Sequence, residues 1–237
     1  MFSGYRIKFS LLGFVMSVLG VIFFSSLGIW QVNRALEKQA LQDEVNAHQQ
    51  QTALELARFN GDFAGQIYVP VNAYGKFDQQ HEILIDNEIH EGKAGYHVLT
   101  PLILEDQSAI LVNRGWVPLG QSRDVLPEIN TPQDDVVIHG MIAPPKSKPA
   151  LALTDDSVKP GKVWLFLDMQ KYENITGLKL LPVVILMDKQ DQYGFIREWP
   201  AYDAKIWMHV GYAIHWFVFA LAVVVIYFAV NTKRISE

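Results

Sequence analysis

Two long stretches without a formal charge constrain this chain more than any other feature. Leu11 to Ile29 (LLGFVMSVLGVIFFSSLGI) has no ionisable residue, and His209 to Val230 (HVGYAIHWFVFALAVVVIYFAV) has no Asp, Glu, Lys or Arg. A helix needs roughly 20 apolar residues, at ~1.5 Å rise each, to cross a ~30 Å hydrocarbon core. Both stretches reach that length, and no other apolar run in the 237 residues does. The expected product is an α+β membrane protein. It has a tail over residues 1–10, a transmembrane helix over 11–29, a water-exposed domain over 30–208, a second transmembrane helix over 209–230 and a tail over 231–237.

Flanking charge sets the orientation. Arg6 and Lys8 precede the first span and Lys233 and Arg234 follow the second. Short basic tails stay in the cytoplasm, so both termini are expected inside and the central domain outside. Arg34 and Lys38, just past the first span, are the opposing signal. A cleaved signal peptide would carry a shorter apolar run and an Ala-x-Ala site, and neither is present. Only about ten residues precede the first span, short for a mitochondrial targeting segment. A bacterial inner membrane, with the domain in the periplasm, is the expectation.

The whole chain holds 20 basic and 25 acidic residues; without those in the tails the outer domain has 16 and 24, a formal charge of −8. That balance argues against nucleic acid as a partner. There is no cysteine, so an exported domain must rely on a conventional core, and thiolate copper, iron–sulfur and covalent c-type haem chemistry are excluded on this chain. Walker A, Gly-x-Ser-x-Gly and His-Glu-x-x-His signatures are absent, and the pairs His81-Glu82 and His90-Glu91 lack a second His at ligand spacing. The chain is not expected to be an enzyme.

Within the outer domain, residues 30–58 are rich in Gln, Ala, Leu and Glu without Pro or Gly, which reads as helix. Residues 66–200 read as mainly β. Short β-branched runs at Ile67–Tyr74, Glu82–Ile85, Tyr96–Leu104, Ala109–Val117, Val136–Ile142, Val163–Leu167, Pro182–Met187 and Gly194–Glu198 are bounded by turn residues. Their lengths suit a mainly antiparallel barrel or sandwich. Asp168–Ile175 reads as a short helix.

Three clusters carry chemistry. At the exit of the first span, Trp30, Arg34 and Lys38 are four apart on one helical face, with Gln31 beside them. The plain reading is an aromatic anchor with basic residues at lipid head groups. The sharper one is a cationic, aromatic-lined site for an amphipathic anion. In the domain, Asn113-Arg114-Gly115-Trp116 lies in or at the end of a strand, as a partner surface or a fold-stabilising corner. In the second span, His209, Tyr212 and Trp216 form one stripe, and His215 lies about a third of a turn away. An intramembrane histidine is a functional candidate by default.

In this order and on this topology, the clusters resemble the Surfeit-locus (Surf type) family of cytochrome c oxidase assembly proteins. The matching residues are Gly28, Trp30, Gln31, Arg34 and Lys38; Gly75-x-Phe77; Thr100-Pro101-Leu102; Val112 to Pro118; and His209, Tyr212, Trp216 and Phe217. The resemblance implies an assembly factor that binds haem a transiently and helps to place it in oxidase subunit I. The implied partners are that subunit, haem a biosynthesis enzymes and the lipid bilayer. It also implies His209 as the axial ligand to the haem iron, with His215 as an alternative. Arg34 and Lys38 could pair with the propionates, while Tyr212, Trp216 and Phe217 pack on the ring. One departure stands out: Trp207-Met208 replaces an Asn that the family usually has shortly before this His, removing a hydrogen-bond partner from the ligand. The alternative function is a cofactor-free membrane scaffold that holds oxidase subunits.

Overall fold

The computed structural model describes residues 5–7, 10–120, 125–146 and 162–234. In chain order its elements are β1 (Tyr5–Ile7), α1 (Leu11–Gln49), β2 (Leu54–Glu55), β3 (Pro70–Phe77), β4 (Ile83–His90), β5 (Lys93–Ile103), β6 (Ala109–Pro118), β7 (Asp135–Ala143), β8 (Val163–Trp164), α2 (Met169–Thr176), β9 (Leu180–Met187), α3 (Ile206–Asn231) and β10 (Thr232–Arg234). They fall into two compact units, residues 1–44 with 202–237, and residues 45–201.

The first unit is an antiparallel helix pair closed by a short ribbon. α1 and α3 are both long and apolar enough to cross a membrane. Gly28 of α1 lies under the Phe217 ring of α3, Gly20 under Val223, and Gly13 near Tyr227. The numbers fall on one helix as they rise on the other, which is the antiparallel register. Small residues let the backbones approach. A Cβ on Gly28 would sit 2.8 Å from the Phe217 ring carbons. Phe24 stacks on Trp216 at 6.0 Å between centroids and meets Phe219 at 5.7 Å. The outward faces stay uncovered: Leu12, Ile22, Phe23, Leu221 and Ile226 are all exposed. At the far end, β1 pairs antiparallel with β10, Tyr5 opposite Arg234 and Ile7 opposite Thr232.

The second unit is a small β-barrel with additions. Its strands run β3-β7-β9-β6-β5, and a further pairing of β3 with β5 closes the ring. β3 shows the period of two that a barrel wall requires: Val71, Ala73 and Phe77 point into the core while Asn72, Tyr74 and Lys76 face out. With Leu102, Ile110, Val112, Ile138, Ile142, Ile185 and Met187 they fill the interior. β4 extends the sheet from β5, and β8 lies beyond it. α2 covers the outer face of these strands through Tyr172, which packs with Trp164, Leu167, Leu111 and Ile85. The Asp168 side chain caps α2 at Lys171 N, 3.0 Å away, and Gly177 ends it in the left-handed region.

The sheet is mixed, where the strand reading anticipated a mainly antiparallel one. β2 with β3, β4 with β8 and β6 with β9 are parallel. A parallel neighbour requires a crossover, and the chain between β6 and β9 supplies one, containing β7, β8 and α2. Three local readings also shift. The helix expected to about Arg58 ends at Gln49, because Leu54 pairs with Val71 in the sheet and Leu56 enters the core two residues later. The Val163–Leu167 run keeps only a two-residue strand. Gly194–Glu198 makes a single bridge, Ile196 to Trp116, in place of a strand.

Candidate functional site

The helix pair brings together residues 178 apart in sequence. His209 Nδ1 lies 2.8 Å from Gln31 Oε1. In the neutral ring, with the amide oxygen accepting, Nδ1 carries the proton and Nε2 keeps its lone pair, the tautomer that binds a metal. Gln31 is buried, and His209 is half-buried at the start of α3. A ligating imidazole usually donates its other ring N–H to a fixed acceptor, which holds the ring and raises its basicity. Gln31, on the opposite helix, is such an acceptor for the His209 ring.

The other predicted residues distribute less uniformly. Arg34 Nη1 pairs with Glu37 Oε2 at 2.7 Å, and its guanidinium lies 5.8 Å from the Trp30 ring centroid. Both charges are largely exposed, so this pair is weakly held. Lys38 is half-buried one turn further on. Trp216 is committed to interhelical packing against Phe24, and Phe217 covers Gly28. Tyr212 is half exposed. His215 donates Nδ1–H to Gly211 O at 2.7 Å on its own helix and is exposed. Its Nε2 is also a lone pair, but no side chain from α1 fixes the ring. His209 and His215 are therefore distinguishable by their surroundings, which spacing alone did not do.

The second cluster resolves as structure. Arg114 is 1% exposed, at one end of the barrel interior. Its Nη1 donates to Thr131 Oγ1 at 2.6 Å and lies 3.3 Å from Glu82 Oε2. Nη2 donates to Asn130 O at 2.7 Å and Nε to Tyr193 O at 2.9 Å. Thr100 and Thr131 each donate to the same Glu82 oxygen at 2.8 Å. Phe77 and Phe195 lie 5.0 Å from the guanidinium carbon, each presenting a ring to the charge. Burial pulls the Arg114 pKa down while Glu82 pulls it back up. Every donor has a partner, so Arg114 pins the β5–β6 end of the barrel. As a residue for docking a partner it has no accessible surface. Its neighbours serve the same corner. Asn113 Oδ1 accepts from Gly115 N at 3.1 Å, and Trp116 Nε1 donates to Glu88 O at 3.0 Å. Gly115 has φ of +112°, and a Cβ there would sit 2.5 Å from Ile196 O.

Sequence reading missed Glu82 as the partner of Arg114. The available signal was a lone carboxylate opening an apolar strand, His81-Glu82-Ile83-Leu84-Ile85. Among the described residues, no group of three or more His, Asp or Glu side chains converges as a protein-only metal site.

The model of the SURF1 family matches residues 18–221, a span that includes the barrel and most of each long helix. A SURF1-like protein of Rickettsia bellii is 26% identical over 207 residues, 85% of this chain and 83% of its own. One of Rickettsia conorii is 26% identical over 208 residues, with 85% and 84% covered. A SURF1-like protein of Dictyostelium discoideum is 30% identical over 113 residues, 44% of this chain and 42% of its own. The chain belongs to the SURF1 family.

Proposed function

We propose that this chain is a non-catalytic assembly factor for a haem-copper cytochrome c oxidase, which holds haem a on its helix pair and helps to pass it to subunit I. The observation that carries the reading is the His209–Gln31 hydrogen bond, which fixes the ring of a half-buried histidine at the start of α3 and leaves Nε2 as the nitrogen for a ligand. When bound, the haem supplies an iron for that nitrogen, an apolar ring and two propionates. His209 would hold the iron, and Gln31 would hold His209. Arg34 and Lys38 stand about 4.5 and 10 Å further along α1 than Gln31, at 1.5 Å per residue. Both are cations within reach of carboxylates on a ligand seated at His209. Opening the exposed Arg34–Glu37 pair costs about 0–1 kcal/mol, so Glu37 is no obstacle. A single imidazole fixed by one neutral hydrogen bond suits a carrier that must release its cargo.

The membrane supplies the remaining surface. The apolar windows of α1 and α3 are only 6% and 11% buried, unlike core helices of a water-soluble fold. Hydrocarbon would cover Leu12, Ile22, Leu221 and Ile226. Basic tails at Arg6, Lys8, Lys233 and Arg234 favour both termini inside a bacterial inner membrane, with the barrel in the periplasm. Trp30 and the exposed Trp207 then lie at the outer interface, where indoles concentrate.

The test is genetic and spectroscopic. Deleting the gene in its host should lower the haem a signal and oxidase activity of the membranes. The wild-type gene should restore both, and His209→Ala should restore neither while still reaching the membrane. Unchanged oxidase after deletion would refute the oxidase reading. Full restoration by both His209→Ala and a His209→Ala/His215→Ala double variant would leave the scaffold alternative. Arg114→Ala does not discriminate between the readings, because its loss damages the barrel itself.

A further inference from the structure

The barrel unit contains a groove of about 820 Å³ that the assembly reading leaves unused. That size falls within the roughly 300–1,000 Å³ typical of small-molecule sites. Ile85, Leu99, Val184 and Leu186 form an apolar floor. Trp116 and Trp199 stand at its sides with their indole N–H groups already used, on Glu88 O at 3.0 Å and Met187 O at 2.8 Å. The rings are thus fixed in place, and both residues contribute to the lining.

The polar groups of the groove have a sign. Among the described residues, Asp86, Glu88 and Glu198 line it with Lys146, beside the histidines His90 and His97. Glu88 is one of these carboxylates, with a side chain only 16% exposed and the His97 ring beside it. Trp116 bonds its backbone, and His97, 3.8 Å from Glu88 Oε2, packs edge-on to Trp199. The cation that Glu88 meets is Lys146 Nζ at 2.5 Å, on a side chain 75% exposed. A lysine reaching in from the surface holds this carboxylate weakly and marks where a positive charge is accepted. The acidic lining disfavours phosphates and carboxylates, and the apolar floor disfavours a bare metal ion.

We propose that this groove binds a small organic cation, a primary or quaternary ammonium on an apolar or aromatic body. The ammonium takes the place of the Lys146 amine on Glu88, with the Trp116 and Trp199 faces beside it. The body lies on Ile85, Leu99, Val184 and Leu186. Aromatic rings around a carboxylate select ammonium ions through ring quadrupole and charge together. The site is separate from the helix pair in its residues, and its test reads neither haem nor oxidase, so each reading stands or falls without the other.

The probe is benzyltrimethylammonium, titrated into the full chain in nanodiscs at pH 7.5. Calorimetry gives the affinity, and tryptophan fluorescence reports on Trp116 and Trp199. Benzyl alcohol and benzoate serve as the neutral and anionic controls. Saturable binding of the cation, at least tenfold tighter than either control, is expected. Glu88→Gln should weaken it at least tenfold. Lys146→Ala should tighten it two- to tenfold, because it removes the internal competitor, and a purely structural Lys146 would not do so. No saturable binding, equal binding of the controls, or undiminished binding by a folded Glu88→Gln would overturn the proposal. Should Glu88→Gln fail to fold, Lys146→Ala decides: unchanged or weaker binding overturns it.

Discussion

Replacing Arg114 by Met should cost the barrel about 3–5 kcal/mol, the scale for a buried charge left without its partner. The magnitude follows from what stays behind. Glu82, with a side chain 2% exposed, keeps the hydroxyls of Thr100 and Thr131 at 2.8 Å but loses the cation that faces it. Asn130 O and Tyr193 O lose the N–H groups that satisfy them. Methionine fills much of the space between Phe77 and Phe195, so the loss is electrostatic more than steric. Lysine would keep the charge but could not reproduce the guanidinium fork, and should recover only part of the loss. Combining Arg114→Met with Glu82→Leu removes both charges and should be less damaging than Arg114→Met alone. The assay is urea unfolding of the full chain in detergent, followed by tryptophan fluorescence. An Arg114→Met barrel within about 1 kcal/mol of wild type would refute this account, since a surface arginine costs no more than that.

Three further outcomes follow from other parts of the molecule. Gln31→Leu keeps the helix interface apolar but strands His209 Nδ1, so haem binding should weaken on the order of 10–100-fold, read from the haem content of purified protein. Gly28→Leu drives a side chain into the Phe217 ring and should cost about 1–3 kcal/mol of helix-pair packing. Spin-label distances between α1 and α3 should broaden in that variant and recover when Phe217→Ala is added. His97 is pushed below the ordinary histidine value of 6.5, first by burial and then by Lys146, with Glu88 opposing. Below pH 6.5 the unfolded chain takes up a proton that the folded site refuses, so stability falls as pH drops until the folded pKa is passed. His97→Asn should flatten that part of the urea-midpoint profile between pH 5 and 7.

Legibility varied with how local the determinant was. The two apolar helices were plain because hydropathy over some 20 residues is a local property. Most strands were found for the same reason, since turn residues bound each short β-branched run. The parallel neighbours were not legible: whether β9 lies beside β6 depends on a crossover, and no period records it. The end of α1 was misplaced because residues 50–58 hold no Pro or Gly to stop a helix, while pairing with Val71 claims Leu54 for the sheet and Leu56 turns into the core. At the candidate site, His209 could be singled out as an intramembrane histidine. Its hydrogen bond to Gln31 depends on the register of two helices far apart in sequence. Arg114 had two readings on paper, and its burial against Glu82 could not be read from the sequence.

The most direct test of the helix-pair reading is the absorption spectrum of protein purified from cells that make haem a. The wild-type chain should carry haem a with a histidine-ligated signature. His209→Ala should lose it, and His215→Ala should keep it. Haem retained unchanged in His209→Ala, in spectrum and in stoichiometry, would contradict the account.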